Sequence, residues 1–224
     1  MKIIAGALRA VFVPGRPESP AVVLCHGFGA NAMDLASLSS LAPELNWYFP
    51  EAPLALGPGS YAWFPLVAEE LARLKSLGRN IEFEDVVPPG LSQSRNALSD
   101  FIAEANIASN LILGGFSQGG MLAIDAYMRM EKSPLGLAVL SSSLVCREQW
   151  QELAQNRAGK SFFQSHGTMD QVLPFSRAKK LESLLTGAGM QGALLDFAGG
   201  HEIPRGVSLA LSDYLRGLSS AQAI

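Results

Sequence analysis

The run Gly115-Phe116-Ser117-Gln118-Gly119 follows the apolar stretch Leu111-Ile112-Leu113-Gly114 and leads into Gly120-Met121-Leu122-Ala123-Ile124. This is a G-x-S-x-G pattern set between a strand and a helix, a context that lifts a serine hydroxyl above a sheet edge. Such a turn is sharp, so only minimal side chains at Gly115 and Gly119 let strand and helix approach, and the Ser117 backbone is expected to be strained. At the helix start the N–H of Gln118 faces any oxyanion that develops above the serine, aided by the helix dipole. A serine hydroxyl is a weak nucleophile until a base removes its proton. The chain must therefore also supply a base and a group to orient it.

Three histidines are available. His26 and His166 each precede a glycine at the end of an apolar run, whereas His201, in A-G-G-H-E-I-P, alone follows every candidate acid. That is the order serine, acid, histidine found in chains with this elbow, and it makes His201 the base. Asp170, in H-G-T-M-D after the strand expected at Ser161–Ser165, is the favoured acid. Asp125 lies two turns into the helix after Ser117 and should point away, Asp196 lies within a strand and too near His201, and Glu202 reads as a solvated neighbour. A second oxyanion donor is expected from A-V-V-L-C-H-G-F-G, where Gly27 and Gly29 free the N–H of Phe28 to turn inward. His26 and His166 are expected to fix the loops that carry Phe28 and Asp170. The residues expected near Ser117, namely Phe28, Trp63, Phe64, Leu66, Met169, Val172 and Leu173, are largely apolar. They describe a slot suited to an acyl chain.

These loops need a scaffold whose strand ends converge. Short β-rich runs alternate with segments of helical period, which argues for an α/β fold with a mainly parallel sheet covered on both faces. Strands are predicted at Leu8–Val13, Ala21–Cys25, Asn46–Phe49, Asn110–Gly114, Gly136–Leu140, Ser161–Ser165 and Ala193–Phe197. V-V-L-C, L-I-L-G and L-A-V-L are continuously apolar, as strands buried on both faces are. Helices are predicted at Asp34–Leu41, Ser92–Ala105, Gln118–Met130, Arg147–Asn156, Phe175–Thr186 and Pro204–Leu218. The proline-rich stretch Pro50–Pro89 reads as a long irregular excursion over the sheet, too poor in periodic apolar positions for a core of its own. The whole chain, 1–224, reads as one domain with a minimal cap.

Composition narrows the partners. Of 224 residues, 48% are hydrophobic and 17% charged, enough for a substantial core, and the net charge is −3 with scattered Lys and Arg, which argues against nucleic acid. No apolar stretch approaches the roughly 20 residues of a transmembrane helix. The N-terminus makes a poor signal peptide because Arg9 interrupts it, and two cysteines, Cys25 and Cys146, in apolar surroundings suit a reducing cytoplasm. No metal-ligand spacing is evident, so neither metal nor organic cofactor is expected. The expected partner is a small-molecule or acyl-chain ester; homodimerisation is left open.

Taken together, H-G-F-G, F-P-E-A-P, A-W-F, G-F-S-Q-G-G, H-G-x-x-D and G-G-H-E-I-P resemble the phospholipase/carboxylesterase family of α/β-hydrolases, the branch with acyl-protein thioesterases and small bacterial carboxylesterases. The resemblance runs from about Ala21 to Pro204 in the family's motif order. It implies an α/β-hydrolase fold, Ser117, Asp170 and His201 as triad, and the N–H groups of Phe28 and Gln118 as oxyanion hole. Pro65, where an acidic residue is frequent, and Phe28, where leucine is common, depart from the pattern near the acyl groove. The expectation is a cytoplasmic serine hydrolase cleaving esters or thioesters of short to medium acyl chains in a shallow, open groove. The alternatives are a non-catalytic binding protein of this fold, and lysophospholipase or peptide hydrolysis on the same scaffold.

Overall fold

The computed structural model describes residues 1–79 and 81–220. Its strands are β1 (Lys2–Ala5), β2 (Leu8–Val13), β3 (Ala21–Cys25), β4 (Asn46–Pro50), β5 (Leu54–Gly57), β6 (Ser60–Ala62), β7 (Leu111–Phe116), β8 (Gly136–Leu140), β9 (Ser161–Gly167) and β10 (Leu194–Phe197). The α-helices are α1 (Val67–Ser76), α2 (Leu91–Glu104), α3 (Gln118–Arg129), α4 (Arg147–Ala154), α5 (Phe175–Gly187) and α6 (Arg205–Ser220). Eight strands form one sheet in the order β1-β2-β4-β3-β7-β8-β9-β10. From β4 to β10 every pairing in that sheet is parallel, while β1 and β2 close one edge antiparallel. This is the α/β-hydrolase fold.

Alternation along the central strands divides the core in two, because successive side chains in a strand point to opposite faces. Val23 and Cys25 of β3, Leu111 and Leu113 of β7, and Leu137 and Val139 of β8 pack on one face against α2, α3, α4 and α5. Val22, Leu24, Ile112, Ala138 and Leu140 face the other way, against α6 and the segment Leu35–Leu45. Both faces are covered, which is why these strands read as unbroken apolar runs.

Three elements differ from the sequence expectation. Asp34–Leu41 forms only a 3₁₀ helix at Ala36–Leu41, with no side-chain cap. The short N-terminal run Lys2–Ala5, Lys-Ile-Ile-Ala, which shows no alternation of polar and apolar residues, is a strand held by antiparallel pairing to β2. The excursion Pro50–Pro89 is not irregular: it holds the β5–β6 hairpin and α1. Its signals were faint because β5 is exposed along its length and α1 buries only Val67 and Leu74.

Helix α3 crosses the end of β3 at very short range. A Cβ placed on Gly119 would lie 2.2 Å from the Cys25 carbonyl oxygen, and one on Gly115 would lie 2.3 Å from the Gly119 backbone. Neither obstacle is a flexible side chain, so Gly119→Ala is expected to destabilise the fold by about 2 kcal/mol or more. Gly217, exposed in α6, has nothing within 4 Å of such a Cβ, so Gly217→Ala should be neutral or stabilising by about 0.5–1 kcal/mol. Denaturant midpoints of the two variants check the contrast, and equal midpoints would show that the crossing is not close.

Candidate active site

Because β3, β7, β9 and β10 run parallel, the loops that follow them emerge at one edge of the sheet, where open α/β folds place their ligands. Ser117 stands at the turn from β7 into α3 with φ 54° and ψ −119°, a left-handed backbone that serine adopts only under constraint. Its backbone is tied at both ends. The Ser117 N–H donates to Leu140 O at 2.9 Å, and its carbonyl accepts from the Ser142 hydroxyl at 2.8 Å and the Gly120 N–H at 3.0 Å.

The loop after β3 lies directly on this turn: a Cβ on Gly27 would come within 3.4 Å of Ser117 Cβ and 3.2 Å of the Phe116 ring. Glycine at 27 therefore brings Phe28 over the serine. Among the described residues, no protein acceptor takes the backbone N–H of Phe28 or that of Gln118. For Gln118 this follows from its place at the start of a helix, where N–H groups have no partner one turn back. Two free donors thus flank Ser117.

Asp170 is buried at 7% exposure, and its side chain is wholly shielded by the fold. Oδ1 accepts from the N–H groups of Val172 and Leu173, both at 2.8 Å. Oδ2 lies 2.7 Å from His201 Nδ1 and 3.2 Å from His166 Nε2. With Nδ1 committed to the carboxylate, His201 has its Nε2 free. The two loops are zipped together: Thr168 N–H donates to Phe197 O at 2.9 Å, and Met169 N–H to Gly199 O at 3.0 Å. Gly167 permits this, since a Cβ there would lie 2.2 Å from Gly200 O. The His201 ring lies 4.8 Å from that of Phe116, next to Ser117. Asp125 takes Arg95, Arg129 and Trp150 instead, and the carboxylate of exposed Glu202 accepts, among the described residues, only from Gly200 N–H.

The other two histidines hold loops. His26 accepts from Ala52 N–H at Nε2, 3.1 Å, so its proton is on Nδ1 and is donated to Gly27 O at 2.8 Å. His166 Nε2 lies 2.7 Å from Leu173 O, closing the turn that carries Asp170, while its Nδ1 is buried without a partner. Burial lowers the pKa of both rings from the ordinary 6.5. Cys146 is buried with its thiol pushed up to about 12 by desolvation, which leaves it no thiolate chemistry near neutral pH. Among the described residues no three His, Cys, Asp or Glu side chains gather as a metal site would require.

Ser117, His201, Phe28 and Gln118 line one cavity of about 740 Å³, together with Phe64, Leu66, Val172 and Leu173. Two of the residues expected in its wall are elsewhere. Met169 is 63% exposed and outside the lining. Trp63 is 2% exposed and stands behind the cavity. Its indole N–H donates to His26 O at 2.8 Å, its backbone N–H to Gln118 Oε1 at 2.9 Å, and its carbonyl accepts the Ser94 hydroxyl. The polar atoms of Trp63 are all engaged in joining loops, which is why it is buried rather than presented to a ligand. The side chain of Gln118 has no signal in the sequence beyond its place after the serine; it also donates from Nε2 to Phe64 O at 2.6 Å.

The depressed histidines give stability a pH dependence. Near pH 6.5 and below, the unfolded chain binds protons that folded His26 and His166 refuse, so their contribution is complete above that pH and is lost as pH falls. The urea midpoint should therefore drop between pH 7.5 and 5.5. A flat profile would mean that both rings can charge inside the fold.

The geometry has counterparts among known proteins. A family model described as phospholipase/carboxylesterase matches residues 7–218. Acyl-protein thioesterase 1 of Emericella nidulans is 24% identical over 198 residues, 79% of this chain and 80% of that protein. The enzyme of the same name from Candida albicans is 26% identical over 208 residues, 83% and 86% of the two chains. Among solved structures, esterase PE8 superposes with a TM-score of 0.76 at 24% identity, covering 94% of this chain and 99% of that one. The carboxylesterase from Mesorhizobium loti does so with a TM-score of 0.76 at 17% identity, covering 97% and 98%. The structural likenesses speak for the fold, and the family model, spanning nearly the full length, speaks for descent: the chain belongs to the phospholipase/carboxylesterase family of hydrolases.

Proposed function

We propose that this chain cleaves carboxylic esters or thioesters with short to medium acyl chains, with Ser117 as nucleophile, His201 as base and Asp170 as orienting acid. The observation that carries the reading is the 2.7 Å contact between His201 Nδ1 and a fully engaged, buried Asp170, beside a cavity that Ser117 and His201 share. His201 Nε2 takes the proton of Ser117 Oγ as that oxygen attacks the carbonyl carbon. The carbonyl oxygen becomes an oxyanion, received by the free N–H groups of Phe28 and Gln118. Collapse breaks the bond to the leaving alkoxide or thiolate, which takes its proton from His201, and water then repeats the sequence to release the acid.

Asp170 keeps His201 in the productive tautomer and balances the charge it gains. An asparagine there would offer its amide N–H₂ to His201 if its oxygen kept the two backbone N–H bonds, and the ring would then present a protonated Nε2 to Ser117. Asp170→Asn is expected to lower kcat by about 10³- to 10⁴-fold with little change in folding. Ser117→Ala should abolish labelling by a fluorophosphonate probe. Labelling that persists in the alanine variant, or turnover that survives it, would remove Ser117 from the mechanism.

The cavity lining favours an acyl chain. It continues along α1 from Leu66 to Lys75, and at about 1.5 Å per residue this is a run of about 13 Å. Phe64, bonded to Gln118, fixes the near end of that run beside Ser117. Each buried methylene contributes about 0.8 kcal/mol, so catalytic efficiency should climb by up to about fourfold per carbon from acetyl esters and level off where the chain leaves the cavity. Leu66→Ala, at a 37% exposed wall position, should depress the preferred esters more than acetyl esters. Trp63→Phe, which loses only the bond to His26 O, should lower stability and leave the chain-length profile parallel to the original. A p-nitrophenyl ester series measured on all three proteins distinguishes wall from scaffold, and a changed profile in Trp63→Phe alone would reverse the assignment.

A further inference from the structure

The cavity is not wholly apolar. Arg177, in the first turn of α5, contributes to its lining, with a side chain 25% exposed. Its guanidinium lies over the ring of Phe83, 3.7 Å from the centroid, so one face of the planar cation is covered while its N–H edges stay open. Glu84 is the nearest acid, 3.9 Å from Nε, and that carboxylate already takes Lys180 Nζ at 2.8 Å. Exposed Glu82 is the other acid whose field reaches the guanidinium. Among the described residues, no protein acceptor is hydrogen-bonded to any of the Arg177 guanidinium N–H groups. Lys75, in the last turn of α1, adds a second cation to the lining and forms no ion pair among the described residues. Among the described residues the one acidic lining residue, Asp34, belongs to the same segment after β3 as Phe28.

Charge is thus unevenly placed: the cations belong to α5 and to the end of α1 remote from Gln118. A neutral acyl chain laid along the cavity would bury part of the guanidinium without giving its open N–H groups an acceptor, which is costly for a charged donor. A carboxylate satisfies two of them at once, because its oxygens match the spacing of the guanidinium fork.

We propose that Arg177 is a specificity residue that receives the carboxylate at the far end of a dicarboxylic acyl chain, so that half-esters or half-thioesters of dicarboxylic acids are substrates of this cavity. The inference rests on the ester-hydrolase reading and on the acyl chain lying in the cavity.

The test uses mono-p-nitrophenyl half-esters of four-, six- and eight-carbon dicarboxylic acids, each paired with the neutral ester of the same length. Within one protein preparation the ratio of kcat/KM, half-ester over neutral ester, is independent of the folded fraction. At the length that reaches Arg177 this ratio should fall tenfold or more in Arg177→Gln and partly recover in Arg177→Lys, which keeps the charge but loses the fork. In the unaltered protein, free dicarboxylate of that length should inhibit hydrolysis of the neutral ester several-fold better than the monocarboxylate of equal length. This second arm needs no variant to fold. Ratios unchanged within twofold at every length, or equal inhibition by the two acids, would overturn the role of Arg177. Absence of Ser117-dependent hydrolysis of any neutral ester would instead overturn the function on which it rests.

Discussion

The packing of backbone on backbone where β7 turns into α3 is the constraint on which the remainder of the site depends. Helix α3 can begin above the end of β3 only because residues 115 and 119 lack a Cβ, and that proximity forces Ser117 to a positive φ. A conformation of this kind costs of order 1–3 kcal/mol and persists only where its surroundings over-determine it. Here they do, through Leu140, Ser142 and Gly120 on the serine backbone and through Gly27 pressed against its side chain. The same close packing sets the loop that carries Phe28 against the Ser117 turn, next to the start of α3 at Gln118.

Asp170 and His201, the proposed acid and base, are positioned by a separate device. Asp170 is held by two backbone N–H groups, and His166 closes the same turn from below by bonding Leu173 O. The backbone ladder between the loops after β9 and β10 then delivers His201 to the remaining oxygen. In the proposed mechanism the neutral state of His166 matters: a charged ring 3.2 Å from Asp170 would compete with His201 for the carboxylate, and burial opposes that charge.

Much of this was legible in the sequence for physical reasons that can be named. Strands such as Val22–Cys25 and Leu137–Leu140 are buried on both faces, so their composition is extreme, and the loops at their ends carry glycine because backbones cross there. The α1 helix and the β5–β6 hairpin were missed because they lie at the surface and bury few side chains. Trp63 and Met169 show a second kind of limit. An aromatic residue near a catalytic motif in sequence can serve either as wall or as scaffold, and what decides is whether the polar atoms around it find partners, a property of the fold and not of local pattern. Gln118 illustrates the converse, a side chain whose bonds to Trp63 and Phe64 have no periodicity to betray them.

Those two bonds have a mechanical consequence. Residues 63 and 64 are fastened to the first residue of α3, and through it to the strained turn, so they move with the serine as one body. Pro65 and Leu66 carry no such tie and lead straight into α1, which covers the outer length of the cavity. The cavity wall is therefore of two kinds: the part nearest Ser117 is bonded to the turn that carries the serine, and the part beyond residue 66 is supported by the packing of α1 alone.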